Sequence, residues 1–385
     1  MRILHTSDWH IGRQFHNVSL LDDQKVCLEQ LIEMLKVQKI DLLLIAGDIY
    51  DRSVPPAEAV SILHKTLSHI CLELKIKVVI ISGNHDGPER LGFGADLLQQ
   101  SGLYILTDIK QIASPIKIQI NNQSVNVYGI PYCQPEHVRN VFKNDVKTFD
   151  DAHTFLVDQI TQSFNKDDIN ILMSHCFVGG SEVSESERPL SIGGADTVTW
   201  QPMAQFDYVA LGHLHAPQYR GETHIRYSGS LMKYSFSEVN QKKSVTIIEC
   251  SKDEQNKKVT DIQMLPISQP KDCRIIEDEF ETIIRNSFTD THPNDYLLIR
   301  VTDKHAIIDA IGKLRTNYPN ILHLEKTGML ADTQITSVTR EQLKRSEFEL
   351  FSEFYEQTQN EKISPQQTEV LTDLINQLHT KEPQS

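Results

Sequence analysis

The chain has 385 residues, with 52 Asp and Glu against 38 Lys and Arg and a formal net charge of −14. That balance excludes a protein that coats nucleic acid through a general basic surface, which needs Lys and Arg to neutralise phosphates, but it leaves a nuclease open because cations held by carboxylates reverse the local field. Six scattered cysteines without a C-x-x-C pair, an acidic Asp8 inside the first apolar run and no long apolar stretch argue against disulfides, a leader and a membrane span; the expectation is a cytoplasmic enzyme of more than one domain.

In chain order, the run RILHTS ends at Asp8-Trp9-His10 and precedes an amphipathic helix over 20–37. IDLLLIA ends at GDIYD (47–51), before a helix over 56–72, and KVVIIS ends at GNHD (83–86), before a helix over 89–100. Strands over 115–120 and 124–130 follow, then a helix over 149–164, INILM ending at Ser174-His175, and FDYVAL ending at GHLH (212–215). Further strands over 224–228, 244–250 and 259–267 lack intervening helices. Alternation of strand-like and helical runs predicts the α/β class, and the helix-free strands predict mixed sheets: two packed mixed β-sheets flanked by helices.

Residues 268–272, Ser-Gln-Pro-Lys-Asp, read as a linker. Beyond it, a helix over 275–285, a strand over 296–301, a helix over 306–315 and a strand over 321–325 predict a small α/β accessory domain. In the tail, Thr339 and Gln342 fit a capping box stapled by Val338 and Leu343, and Leu343, Phe348, Leu350, Phe351, Phe354 and Tyr355 share one face. Ser364, Pro365 and Gln367 start a second helix carrying Val370, Leu371, Leu374, Ile375 and Leu378. These faces suit either packing within the chain or a partner. The expected domains are 1–270, 271–335 and 336–385.

Five polar clusters at the ends of five strands imply ligands delivered to one point, since open α/β sheets build their sites at the carboxyl edge of the strands. Asp48, in the middle cluster, is the natural bridge between two cations. Asp8 and His10, two apart, would share a face of a continuing strand with Trp9 turned into packing. Gly47 and Gly83 permit sharp turns where strands end. Imidazole mixed with carboxylate suits manganese, iron or zinc better than calcium or magnesium. GNHD is the most specific cluster, because Asn, His and Asp in succession pack poorly. Arg13 is a candidate phosphate contact or an ordinary salt bridge, and Cys176 reads as a small buried residue.

The ordered series Asp-x-His, GDxxD, GNHD, His, GHxH resembles the calcineurin-like metallophosphoesterase superfamily. The wording SDWHIGR, GDIYDRSVPP, SGNHDGPERL, ERPLSIGGADTV and YSGSLMKYSFSE is similar, within it, to the nuclease subunits (SbcD) of bacterial SbcCD complexes. The resemblance implies Asp8, His10, Asp48 and His215 on one metal and Asp48, Asn84, His175 and His213 on the other, usually manganese. It implies His85 as the catalytic histidine, and Asp51 and Asp86 as groups orienting ligands or His85. It further implies an SbcC-type, SMC-like ATPase docked on the C-terminal helices, an accessory domain that caps DNA, a homodimer, and double-stranded or hairpin DNA as substrate. The expected function is a two-metal, ATP-partnered DNA exonuclease and endonuclease in repair and recombination, in which a bridging hydroxide attacks the phosphodiester and His85 stabilises charge or protonates the leaving group. A metallophosphatase acting on small molecules or phosphoproteins is the alternative.

Overall fold

Two six-stranded mixed sheets organise the computed structural model, which describes residues 1–120, 123–162, 164, 165, 167–187, 196–251, 258–328, 348, 351, 352, 355, 356 and 362–379. The first sheet runs Val259–Pro266, Ser244–Cys250, Arg2–Thr6, Leu42–Ala46, Lys77–Ile81, Leu103–Leu106; its last four strands are parallel and the two at the other edge antiparallel. The second runs Gln218–Arg220, Glu222–Tyr227, Tyr208–Gly212, Ile169–His175, Gln123–Ile130, Ile116–Ile120, parallel in its centre and antiparallel at both edges.

Because side chains alternate across a strand, each sheet has two faces to cover, and both faces here are apolar. Ile3, Leu42, Leu44, Val79 and Ile81 of the first sheet meet Val125, Val127, Ile171, Met173 and Ala210 of the second in a layer between them. The opposite faces carry Leu4, Leu43, Ile45, Val78 and Ile80 against Leu28, Leu31, Leu35 and Leu63 of helices Leu21–Val37 and Ala57–Ser68. Leu172, Val209 and Leu211 pack against Leu156, Val157 and Ile160 of helix Phe149–Thr161. That helix starts in a capping box between Thr148 and Asp151. The expected helix–sheet–sheet–helix arrangement is present. Polar contacts also cross the central layer: His5 reaches the Tyr208 hydroxyl (3.0 Å) and the Leu211 carbonyl oxygen (3.2 Å).

A three-stranded parallel sheet, Cys273–Asp278, Tyr296–Val301 and Ile321–Lys326, follows, with helices Phe280–Ser287 and Ala310–Arg315. It has its own core of Phe280, Ile283, Leu297, Ile299, Leu314 and Tyr318. Residues Met1–Gly328 form one compact unit and Met329–Ser385 a second.

Three predicted helices differ in the structure, and one of them, expected over 306–315, begins only at Ala310, after Asp309 in left-handed backbone (φ +52°). Instead of one helix over 89–100, single turns at Pro88–Leu91 and Ala95–Leu98 are separated by a segment in which Gly94 takes φ +74°. Instead of a helix over 275–285, Cys273–Asp278 is a strand paired with Tyr296–Val301, and the helix begins at Phe280. In the second unit, helix Pro365–His379 starts as expected: Ser364 Oγ accepts from the Gln367 N–H (3.3 Å) and Gln367 Oε1 from the Ser364 N–H (2.9 Å). The capping box at Thr339 and Gln342 lies outside the described residues.

Candidate metal centre

The parallel strands Arg2–Thr6, Leu42–Ala46 and Lys77–Ile81 point their carboxyl ends the same way, and His175 and Gly212 close their own parallel strands in register. The loops are then tied to one another by the backbone, with Asp8 N–H donating to Gly47 O (3.0 Å) and His10 N–H to Asp48 O (2.9 Å). A Cβ at Gly83 would fall on the Asp48 carboxylate, and one at Gly47 (φ +90°) on the His175 ring, so only glycine allows these turns to close.

Asp8 and His10 do come together, but not as alternate residues of a strand. The strand ends at Thr6, and Asp8 (φ +53°), His10 (φ +44°), Asp48 (φ +50°) and His213 (φ +104°) all adopt left-handed backbone. Trp9 packs inward as expected, its indole N–H donating to Thr6 Oγ1 (3.0 Å).

The buried ligand atoms form two groups: Asp8, His10 and His215, and Asp48, His175 and His213. Asp48 Oδ2 lies 3.6 Å from His10 Nε2 and 3.5 Å from His175 Nε2, between the groups. Asn84 Oδ1 sits 3.0 Å from His175 Nε2 and 3.1 Å from His213 Nδ1. His85 lies alongside. Its backbone N–H donates to Asp48 Oδ1 (2.8 Å), and its Nδ1 donates to the Asp51 carbonyl oxygen (2.7 Å), leaving Nε2 as the free ring nitrogen. Asp86 accepts the N–H groups of Ile49, Tyr50 and Gly83 at 2.9–3.1 Å, which locks the GDIYD loop to the GNHD loop. The Asp51 carboxylate pairs with Arg13 (3.0 Å), whose other terminal nitrogen donates to Ser186 O (3.1 Å).

The atoms fit divalent cations. His175 Nδ1 donates to Ala46 O (2.9 Å), which aims its Nε2 at the Asn84 carbonyl oxygen (3.0 Å) and the Asp48 carboxylate (3.5 Å), two acceptors that favour a positive charge at that spot, be it a proton or a metal ion. His10 Nε2 and His215 Nε2 converge at 3.1 Å, while His10 Nδ1 is buried without a hydrogen-bond partner. Electrostatics agree. Burial pushes the Asp8 carboxyl up to about 7 against the pull of His175 and His215. Burial also acts to raise Asp48, yet His175, then His10 and His85, outweigh it and hold Asp48 well below the usual carboxylate range. Burial keeps His10 and His213 neutral, the latter at about 3, whereas Asp48 and Asp8 overcome burial to raise His175 to about 9. The proton so favoured at His175 marks where positive charge is wanted.

Sequence reasoning did not single out Ser186, Glu187, Glu238 and Lys243. Ser186 Oγ lies 2.6 Å from His215 Nδ1, Glu187 Oε1 accepts the His215 N–H (2.6 Å), and Glu238, bonded to Ser186, pairs with Lys243 (2.5 Å). Glu187 and Glu238 do stand within ERPLSIGGADTV and YSGSLMKYSFSE, the longer stretches of family-like wording. Cys176 is buried, as expected, and burial pushes its thiol up to about 12.

A calcineurin-like phosphoesterase family model matches residues 1–217, and a model described as type 5 capsule protein repressor C-terminal domain matches 269–359. The SbcD subunit of the nuclease SbcCD from Staphylococcus epidermidis is 34% identical over 376 residues, 97% of this chain and 98% of that one. The chain belongs to the SbcD family of calcineurin-like phosphoesterases. Members of the SbcD family carry a metal-dependent phosphodiesterase, and this chain is a metal-dependent nuclease whose centre takes divalent ions. Solved structures of a Thermus thermophilus protein and of a dimetal phosphatase from Danio rerio are also similar, with TM-scores of 0.40 and 0.39 and 12% and 10% identity. They cover 69% and 70% of this chain and 99% of each of theirs. Among the described residues no helix is long and apolar enough to cross a membrane.

Proposed function

We propose that the chain is the nuclease subunit of an ATP-partnered DNA exonuclease and endonuclease that trims ends and opens hairpins in repair and recombination. The observation that carries this reading is the position of Asp48 Oδ2 between two ligand groups, in a chain that matches a curated SbcD nuclease along nearly its whole length. Asp8, His10 and His215 would hold one ion, Asn84, His175 and His213 the other, with Asp48 shared. Manganese suits this mixture of imidazole, carboxylate and amide donors. The ions would supply charge neutralisation at the phosphate oxygens and acidify a water molecule at neutral pH.

The residues of the chain supply the rest. Asp48 holds His85 through its backbone N–H, so the ring stands at a fixed distance from the ligand set. The Asp51 carbonyl oxygen fixes the His85 proton on Nδ1, which leaves Nε2 to exchange a proton with the departing oxygen or, when protonated, to stabilise charge on a nonbridging one. Asp86 keeps the two loops in register. Arg13, engaged with Asp51 and Ser186, braces the loop that carries His85's partner.

We assign catalysis to 1–270, DNA capping to 271–335 and partner docking to 336–385. The docking reading is supported by Phe351, Val370 and Leu374, exposed apolar residues that border a groove with Tyr355, Ile363 and Leu371. The occupant we assign to that groove is the coiled-coil base of an SbcC-type ATPase, and the complex is read as a homodimer of this chain.

The test is digestion of labelled linear and hairpin duplexes in manganese by the purified chain, with and without an SbcC-type ATPase. Cleavage abolished by chelation, and stimulated by ATP only with the partner, is the expected result. Phe351→Glu should remove the stimulation and co-purification while leaving the isolated subunit's cleavage intact, because it puts a charge on the docking face alone. A chain that hydrolyses phosphomonoesters and leaves DNA whole would overturn the assignment.

A further inference from the structure

The two candidate metal positions are backed differently. His175 Nδ1 donates to a neutral acceptor, the Ala46 carbonyl oxygen. His215 is backed by a chain of charged groups. Glu238 Oε2 receives Lys243 Nζ (2.5 Å), and Glu238 Oε1 receives the Ser186 hydroxyl, the Ser235 hydroxyl (3.0 Å) and the Tyr234 N–H (3.2 Å). With its own proton given to Glu238, Ser186 Oγ accepts from His215 Nδ1–H (2.6 Å), which leaves His215 Nε2 unprotonated and aimed at His10 Nε2 (3.1 Å). Lys243 also donates to the His215 carbonyl oxygen (2.9 Å) and to Ser230 Oγ (2.9 Å).

Glu238 and Lys243 are almost wholly buried, with side-chain exposures of 0% and 3%. An ion pair at that depth is costly and is a weak source of stability. Two of its hydrogen bonds lead to His215, one from Lys243 to the His215 carbonyl oxygen and one from the Ser186 hydroxyl to Glu238, so its effect is to place a carboxylate one hydroxyl away from the imidazole. A carboxylate behind a ligating histidine fixes the tautomer and strengthens the nitrogen as a donor. Here a serine is inserted between the two, carried on the segment that also brings Glu187 Oε1 to the His215 N–H (2.6 Å).

We propose that Ser186 and Glu238 are positioning residues that act through His215, and that they raise the affinity of the metal position formed by Asp8, His10 and His215 relative to the one formed by Asn84, His175 and His213. The inference rests on the two-metal reading above and deepens it. Ser186 and Glu238 touch no reacting atom in this scheme. Their effect is on how tightly and in which order the ions load.

The experiment is manganese titration of the full chain, followed by calorimetry and by the spin-resonance signal of the free ion, for wild type, Ser186→Ala, Ser186→Thr and Glu238→Gln. Wild type should show two unequal sites. Ser186→Ala should weaken the tighter one roughly 10- to 100-fold, the usual effect of losing an outer partner of a ligand, and leave the weaker one unchanged. Ser186→Thr, which keeps the hydroxyl, should restore the tighter site. Glu238→Gln should resemble Ser186→Ala; because it also leaves Lys243 unpaired, a failure to fold would shift the decision to Ser186→Ala, which keeps the ion pair whole. Two sites of wild-type affinity in Ser186→Ala, or equal weakening of both, would overturn the inference. A wild-type chain that binds no manganese would instead overturn the two-metal reading beneath it.

Discussion

The carboxyl edge of the two large sheets and the small three-stranded sheet after residue 270 are built to opposite rules. At the edge, buried strands end abruptly and their loops are cross-braced by buried carboxylates, with Asp86 alone accepting three backbone N–H groups. The small sheet gathers no such ligand cluster among its described residues, and it meets the body partly through polar pairs such as Asp23 with Lys271 (2.7 Å) and with the Tyr296 hydroxyl (2.6 Å). The difference separates a cross-braced reaction centre from an attached sheet with a core of its own, and it predicts that substitutions in one should spare the function of the other.

The strongest break lies at the centre itself. Asp48→Asn should remove metal occupancy and nuclease activity together, whereas His85→Gln should lower cleavage by roughly 10²- to 10⁴-fold, the range for a lost general acid or base, with both ions retained. Metal analysis beside duplex digestion checks both. A metal-free His85→Gln or an active Asp48→Asn would reverse the assigned roles.

Next comes the bracing. Asp86→Ala strands three buried N–H groups, and the net loss should be about 3 kcal/mol in urea unfolding, at the upper end for one unsatisfied site. The loss is moderated because burial and the nearby Asp48 already push the Asp86 carboxyl up to about 6. An unchanged midpoint would mean that the loops hold themselves.

A smaller effect concerns acid. His5, buried between the sheets, has its imidazole lowered by burial from 6.5 to about 3. The unfolded chain therefore takes up a proton that the folded chain refuses, so the stability tied to neutral His5 is complete above about 6.5 and drains away as pH falls towards 3. His5→Gln should flatten the fall in melting temperature between pH 7 and pH 4 relative to wild type; parallel curves would show that His5 does not contribute to it.

The smallest effect sharpens the boundary. Asp23→Asn should cost about 1 kcal/mol, the worth of a typical buried hydrogen bond, and appear as faster hydrogen exchange in Tyr296–Val301. Manganese affinity should stay the same, and a changed affinity would mean that the small sheet and the centre are energetically coupled.

The same contrast governs what the sequence made legible. GDIYD and GNHD could be read because each follows a strand that is buried as it ends, where Asp, Asn and His have no packing role. Their joint order identified the family, and the fold followed from the alternation around them. The small sheet was harder: Ile275 and Ile276 suit a helix or a strand by spacing, and pairing with Leu298 and Ile299 decides for the strand. The helix expected over 89–100 failed at Gly92 and Gly94, which punctuate the segment between its two turns. Ser186 and Glu238 were illegible for a different reason. They are 52 residues apart and meet only once the chain has closed around His215. The geometry of Asp8 and His10 was reached by the wrong route, since an extended strand and a left-handed loop both bring alternate residues together.

That left-handed backbone bears on how such a protein ages under selection. Non-glycine residues in this region cost roughly 1–2 kcal/mol each, less for Asp than for bulkier side chains. Asp8, His10, Asp48 and His213 thus form a standing reserve of discomfort that glycine would relieve at any one of the four. A library screened for heat resistance alone should enrich glycine at His10 and His213 ahead of Asp8 and Asp48, whose carboxylates also accept the N–H groups of His213 and His85, and drift, one substitution at a time, towards sturdier chains that no longer cut DNA.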